Sequence, residues 1–260
     1  MKKLFVLLAG FASLLLFPLV TQAEDCKFEK KIQMNLDLSN AETLLIIAGA
    51  GTLTIKGDSD SESAVIEGIA CASKQEWLDE SSIETQSGDV AKIEVELPDI
   101  DGGWSFTGDR YARIDLELDV PNQMSLDVTD SSGSMTIEGV GELNVKDSSG
   151  SIKIENVAGA VRLKDSSGSI SLIDIEGDVT IVSDSSGSIK GKGINGTVLV
   201  KKDSSGSIHF QDVTQDFIVE RDSSGRIVAE RIGGDFRVLK DGSGGIRSSD
   251  VAGEVSIPTK

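Results

Sequence analysis

Residues 203–221 read Asp-Ser-Ser-Gly-Ser-Ile-His-Phe-Gln-Asp-Val-Thr-Gln-Asp-Phe-Ile-Val-Glu-Arg, and at Asp222 the opening tetrapeptide begins again. The same phrase also starts at Asp130, Asp147, Asp165 and Asp184, with a variant, Asp-Gly-Ser-Gly, at Asp241. Successive copies are separated by 17, 18, 19, 19, 19 and 19 residues. A fixed period of this length marks a stacked-coil architecture.

Within each period the grammar is constant. Apolar and polar residues alternate after the tetrapeptide, a short break often containing Gly follows, and a second alternating run leads to the next Asp. Alternation means a strand with one buried face. In residues 203–221 the inward set is Ile208, Phe210, Val213, Phe217 and Val219, and the next coil supplies Ile227, Ala229, Ile232, Phe236 and Val238. No run in the repeats has helical spacing.

Two folds could use such a pattern. In an antiparallel meander, equivalent turns lie two strands apart and never touch. In a parallel solenoid they lie one strand spacing apart, roughly 4.8 Å, so like packs on like. Near-identity of seven turns favours the second. The expected fold is all-β: a single parallel β-solenoid, β-helix-like, with coils of about 18–19 residues. It is expected to be right-handed, as parallel crossovers nearly always are.

Three segments are expected along the chain. Residues 1–23 read as a secretory signal peptide: Lys2 and Lys3, an apolar stretch from Leu4 to Val20, then Thr21-Gln22-Ala23 as a small-residue cleavage site. Residues 24–129 form a less regular β region that caps the stack. It contains a divergent rung at Leu44–Lys56, with Ala-Gly-Ala-Gly in place of the repeated tetrapeptide, and strands at Ala64–Cys71, Val90–Leu97 and Ala112–Val120. Residues 130–260 are the repeat solenoid, continuous with the region before it. After cleavage no stretch is apolar enough to span a bilayer. The implied location is the periplasm, the medium or the cell surface, where Cys26 and Cys71 can form a disulfide.

Charge narrows the partners. With Lys2 and Lys3 gone, 23 basic residues face 43 acidic ones, a net −20. That balance argues against nucleic acid and anionic lipid. An envelope protein or a glycan remains, and oligomeric state is not encoded in any motif.

The repeated Asp130, Asp147, Asp165, Asp184, Asp203, Asp222 and Asp241 read first as turn-formers. Asp accepts hydrogen bonds from backbone N–H groups just ahead, Gly allows positive φ, and stacked Ser hydroxyls can bond up and down the column. The sharper alternative is a cation column, since carboxylates at strand spacing repel and Ca²⁺ favours oxygen ligands. Against it, Lys146, Lys164, Lys202, Arg221 and Lys240 each precede a repeat Asp. A basic column of this kind is expected to relieve the repulsion without metal, so no cofactor is assigned.

Elsewhere the chemistry is sparse. Trp104 and Phe106, in the loop after Pro98, and Tyr111 beyond it either pack over the solenoid end or form an exposed binding patch. His209 is the sole histidine, placed by alternation on the solvent side. No base is available to activate a serine, so no catalytic residue is assigned. Paired acids on a solenoid, as in glycan-cleaving hydrolases and lyases, are the enzymatic alternative.

The run Tyr111-Ala-Arg-Ile-Asp-Leu-Glu-Leu-Asp-Val-Pro121, then Ser125-Leu-Asp-Val and recurring Ser-Gly-Ser-Ile turns, resembles the bacterial putative-adhesin family, over residues 40–257. The resemblance implies exported or membrane-linked domains of unknown function, built from β-strand repeats. It implies contact with other molecules at a surface and carries no catalytic residue over. Family members often have Ser-Gly-Asp-Ile where this chain has Ser-Gly-Ser-Ile.

Overall fold

The structure is a computed structural model and describes residues 26–100 and 110–259. Its strands and single helix run in chain order as β1 (Phe28–Asp37), β2 (Thr43–Ile47), β3 (Leu53–Ser59), β4 (Ser63–Ala72), α1 (Gln75–Glu80), β5 (Ser82–Gln86), β6 (Val90–Glu96) and β7 (Ala112–Pro121). The repeats follow with β8 (Ser125–Thr129), β9 (Met135–Glu138), β10 (Leu143–Lys146), β11 (Ile152–Val157), β12 (Val161–Lys164), β13 (Ile170–Ile175), β14 (Val179–Ser183) and β15 (Ile189–Ile194). The last coils are β16 (Val198–Val200), β17 (Gly206–Val213), β18 (Phe217–Val219), β19 (Asp222–Ile232), β20 (Phe236–Val238), β21 (Asp241–Val251) and β22 (Val255–Ser256).

From β8 onward the chain alternates between two sheets, and each strand pairs in parallel with its equivalent one coil away. That is the expected solenoid, and it excludes the meander. The inward positions form one continuous core: Ile152, Ile154, Val157, Val161 and Leu163 are all buried, as are their counterparts in neighbouring coils. Phe210, Phe217 and Phe236 fill the later coils, with centroids 5.0 Å apart for the first two and 5.3 Å for the last two.

The drift of the period from 17 to 19 has a local cause at each step. Met135 pairs with Ile152 and Leu143 with Val161, so the second coil carries one more residue in the turn between its strands. The next coil adds another within its sheet. There the register jumps from Leu163↔Ile181 to Lys164↔Ser183, leaving Val182 as a bulge. Bulges of this kind absorb an extra residue without losing the pairing on either side.

The Leu44–Lys56 rung is present: β2 pairs with β8 and β3 with β9, all parallel. Its Ala50 bridges Ser132, which puts Ala-Gly-Ala-Gly in register with Asp-Ser-Ser-Gly. Stacking departs from chain order here. A further rung, β6 with β7, covers the other side of β2 and β3. Beyond it β4 and β1 join one sheet antiparallel, and β5 ends the other.

The helix was not expected. With only Trp77 and Leu78 buried in six residues, it is too short to show a helical period. It packs on β1 and β4. Lys30 Nζ donates to the carbonyls of Leu78 (3.2 Å) and Ser81 (2.6 Å), placing a cation at the helix C-terminus. Cys26 and Cys71 are disulfide-bonded, with Cα atoms 5.4 Å apart, which ties the residues just before β1 to β4.

Candidate functional site

The repeated turn lies between a strand of one sheet and the next strand of the other. Its Gly has φ between +125° and +143° in every copy from Gly133 to Gly244, a range that disfavours any side chain. The packing forbids one as well. A Cβ on Gly187 would lie 1.6 Å from the carbonyl oxygen of Gly168, and one on Gly206 would lie 1.5 Å from that of Gly187. The glycines are thus a spine of backbone in contact with backbone, continued by Gly51 in the divergent rung.

The aspartates of the same turn point inward. Asp130, Asp147, Asp165, Asp184, Asp203 and Asp222 are all buried, and Asp203 has no exposed surface. Asp241, in the last copy, is half-buried. Alternation explains this: Leu126, Val128 and Asp130 are successive inward residues of one extended run. From Asp184 onward the interval from the last apolar residue grows by one, and the Val182 bulge keeps the carboxylate inside.

In four of the six buried copies one carboxylate oxygen serves the turn, while both oxygens of Asp130 and Asp203 are without a hydrogen-bond partner. Asp147 Oδ1 accepts the Ser148 N–H at 2.8 Å, and Asp165 Oδ1 accepts those of Ser166 (2.6 Å) and Ser167 (3.2 Å). Asp184 and Asp222 accept from Ser186 (3.3 Å) and Ser224 (3.2 Å). The second oxygens of Asp147, Asp165, Asp184 and Asp222 are buried without a hydrogen-bond partner. An ionised carboxylate only accepts, so two facing ones cannot satisfy each other; a proton on either turns one into a donor.

Burial lifts the proton affinity of all six, and the turn N–H groups pull the other way. Asp130 and Asp203 are pushed up to about 7 and Asp184 to about 6. For Asp203 the neighbouring Asp184 and Asp222 add to the effect of burial. The expected compensation by basic neighbours is not found. Lys146, Lys164, Lys202, Arg221 and Lys240 are exposed, and among the described residues none forms an ion pair with the column. Strand alternation turns each of them out as it turns the Asp in. Among the described residues no group of three or more His, Cys, Asp or Glu is disposed to hold a metal.

The serine hydroxyls do link coil to coil, but to backbone. Ser149 Oγ donates to Ser131 O (3.2 Å), Ser167 to Ser148 O (3.3 Å), Ser205 to Ser185 O (3.1 Å) and Ser224 to Ser204 O (3.2 Å).

A second column escaped the sequence reading. Gly139, Asn156, Asp174, Gly193, Asp212, Arg231 and Asp250 all have φ between +54° and +74° and occupy one corner of successive coils. Gly, Asn and Asp are the residues that tolerate this region, so six of the seven positions, all but Arg231, carried a readable signal. At that corner Arg231 Nε donates to Asp212 Oδ1 at 2.5 Å.

The remaining predicted residues are scattered. Trp104 and Phe106 lie outside the described residues. Tyr111 is sewn to the cap: its N–H donates to Ser73 Oγ (3.2 Å), and its hydroxyl accepts the Lys27 N–H (3.1 Å). Trp77 is buried at this end, with Lys74 (4.4 Å) and Arg110 (5.2 Å) against its ring, and the partly buried Phe28 packs against the core. His209 sits on the outer face with Nε2 3.6 Å from Glu230 Oε1.

No protein-family model matches the chain, and no curated protein does. Similar solved structures include a “putative adhesin” from Bacteroides fragilis, 11% identical, with TM-score 0.35 over 88% of this chain and 97% of that one. A “putative lipid binding protein” from Parabacteroides distasonis is 13% identical, with TM-score 0.33 over 86% and 96%. A “putative cell adhesion protein” from Clostridium sporogenes is 11% identical, with TM-score 0.30 over 88% and 98%. Likenesses this distant say nothing of what this chain binds.

Proposed function

We propose that this protein is a non-catalytic, exported β-solenoid that acts as an adhesin-like interaction or scaffold surface in the cell envelope. The observation that carries this reading is the direction of the repeated carboxylates. Six of the seven aspartates of the column, the acidic array regular enough to suggest chemistry, are buried in the core, out of reach of substrate. Connections between successive strands of the repeats are only two to five residues long, too short to wall a catalytic cleft. What solvent meets is the outer faces of two sheets, set mainly with charged and hydroxyl side chains and suited to contact over area.

The leader-like residues 1–23 and the Cys26–Cys71 bond support an oxidising, extracytoplasmic setting, at the surface or in the periplasm. Among the described residues no helix is long and apolar enough to cross a membrane. The ladder needs no cofactor in this reading, because protons shared between carboxyls do the work a cation would.

The test is to immobilise residues 24–260, challenge them with solubilised envelope fractions and isolated envelope glycans, and assay the same glycans for new reducing ends. Retention of an envelope component without cleavage is expected. Release of new sugar ends, or of unsaturated ones, would replace the scaffold with a hydrolase or lyase.

A further inference from the structure

The outer face of one sheet changes character along the rod. Across β15, β17, β19 and β21 one outward row is Lys190, His209, Val228 and Arg247 in direct register, flanked by Arg226. All of these but Lys190 border a groove of about 470 Å³, whose lining also includes Ser248 and Ser249. Neither Arg226 nor Arg247 has an ion-pair partner among the described residues. Glu230, also in the lining, is paired with Arg231 (3.8 Å), and His209 Nε2 lies 3.6 Å from it. In a chain of net charge −18, two unpaired arginines on adjacent strands are a local inversion of sign.

We propose that this groove binds an anionic polysaccharide, with Arg226 and Arg247 holding its carboxylate or sulfate groups and Val228 forming an apolar floor. The proposal rests on the interaction-surface reading above and names its ligand class. Arg226 opposes Gly245 and Val228 opposes Arg247, so the two guanidinium groups are diagonal neighbours with no bulky side chain beside Arg226 on the last strand. Planar forks of this kind match carboxylate and sulfate oxygens in pairs. Ser249, on the same outward face as Arg247, supplies a hydroxyl that can exchange hydrogen bonds with those of a sugar.

Charge density selects among polymers. A nucleic acid bears a charge at every phosphate and would run from this patch onto acidic surface, where it is repelled. A polysaccharide with sparser charge can place its anions on the arginines and neutral rings elsewhere. An acidic peptide is the competing occupant, because β21, which borders the groove, is the outermost strand of its sheet; the poly-glutamate arm tests it.

The experiment titrates residues 24–260 with polygalacturonate, sulfated dextran and neutral dextran, and with poly-glutamate and duplex DNA as polyanion controls. The first two arms tell carboxylate from sulfate. Binding to at least one of them and not to neutral dextran is expected. Arg226→Ala/Arg247→Ala should weaken it on the order of tenfold with an unchanged melt, the paired Lys variants should fall between, and Lys153→Ala should bind as the parent does. Equal binding by the double Ala variant overturns the site. So does absence of binding to both polygalacturonate and sulfated dextran, or equal affinity for poly-glutamate or DNA. If envelope material is still captured by the double Ala variant, the scaffold reading stands and only this groove falls.

Discussion

Asp203 and Asp222 face each other across a parallel bridge, each buried in the core and each with a carboxylate oxygen that no N–H reaches. The pair is one link of a ladder running the length of the repeats, and its cost or benefit depends on protons.

The first prediction is a stability that rises toward acid. The folded-state proton affinities of the ladder are raised above the unfolded value of 3.8, to about 6 for Asp184 and about 7 for Asp130 and Asp203. Between those values the folded chain holds more protons than the unfolded one, so stability falls as pH rises. It is greatest below about pH 4 as far as these groups are concerned, and the loss is complete above about pH 7. Outside the ladder, Asp37, Asp212 and Asp235 are displaced downward and oppose this only at the acid extreme. Thermal melts at about pH 5 and about pH 8 should differ by at least ~5 °C, the acid sample melting higher. A flat profile would mean the carboxyls carry no extra protons.

Replacing a carboxyl with its amide should separate charge from shape. In Asp203→Asn the amide removes the charge and brings a permanent donor toward the unpartnered oxygens of Asp184 or Asp222. At about pH 8 the variant should be more stable than the parent by about 1 kcal/mol, with a shallower pH dependence. Asp203→Ala, which keeps no polar atom, should be less stable than the Asn variant at every pH. Denaturant titrations at two pH values read both.

The glycine spine makes a sharper steric prediction. Gly187→Ala would place a methyl 1.6 Å from the Gly168 carbonyl oxygen at a φ of +125°. Rigid backbone on both sides cannot yield, so a loss of about 3 kcal/mol or more is expected, or failure to fold. Gly245→Ala, where a Cβ meets nothing within 4 Å, should change stability by less than about 0.5 kcal/mol. Equal tolerance of both would contradict coil-on-coil contact at the turn.

Reducing the Cys26–Cys71 bond, which closes a separation of 45 residues, should cost about 4 kcal/mol by its effect on the unfolded chain. Urea midpoints of the parent with and without reductant, and of Cys26→Ser/Cys71→Ser, measure it. Because the bond lies at the capped end, the pH profile of the ladder should survive reduction unchanged.

Much of the rod was legible before any coordinates. Ile208, Phe210, Val213, Phe217 and Val219 announce two half-buried strands, and seven near-identical turns announce that like stacks on like. The inward Asp was legible in principle, since Asp147 falls two residues after Val145, but solvent preference of charged residues outweighed alternation in the reading. The corner at Asn156, Asp174 and Asp212 was hidden because its requirement is a backbone angle that several residue types meet. The order of the N-terminal rungs could not be read at all. Nothing in the apolar pattern of β6 and β7 distinguishes one side of β2 and β3 from the other, because each rung offers the same alternation to both neighbours. The two unpaired arginines were invisible for a related reason: their isolation is a property of three adjacent coils, not of any one.

The placement of β2 and β3 between rungs made later in the chain bears on biosynthesis. When this segment first emerges, neither neighbour has yet been made, and both of its edges are bare. One is closed only by β6 and β7, the other only by β8 and β9, so the chain must be built past residue 135 before its innermost rung is shielded. Until then two open ribbons of Leu and Ile can recruit strands from other nascent copies, and that interval is when this molecule most needs a chaperone.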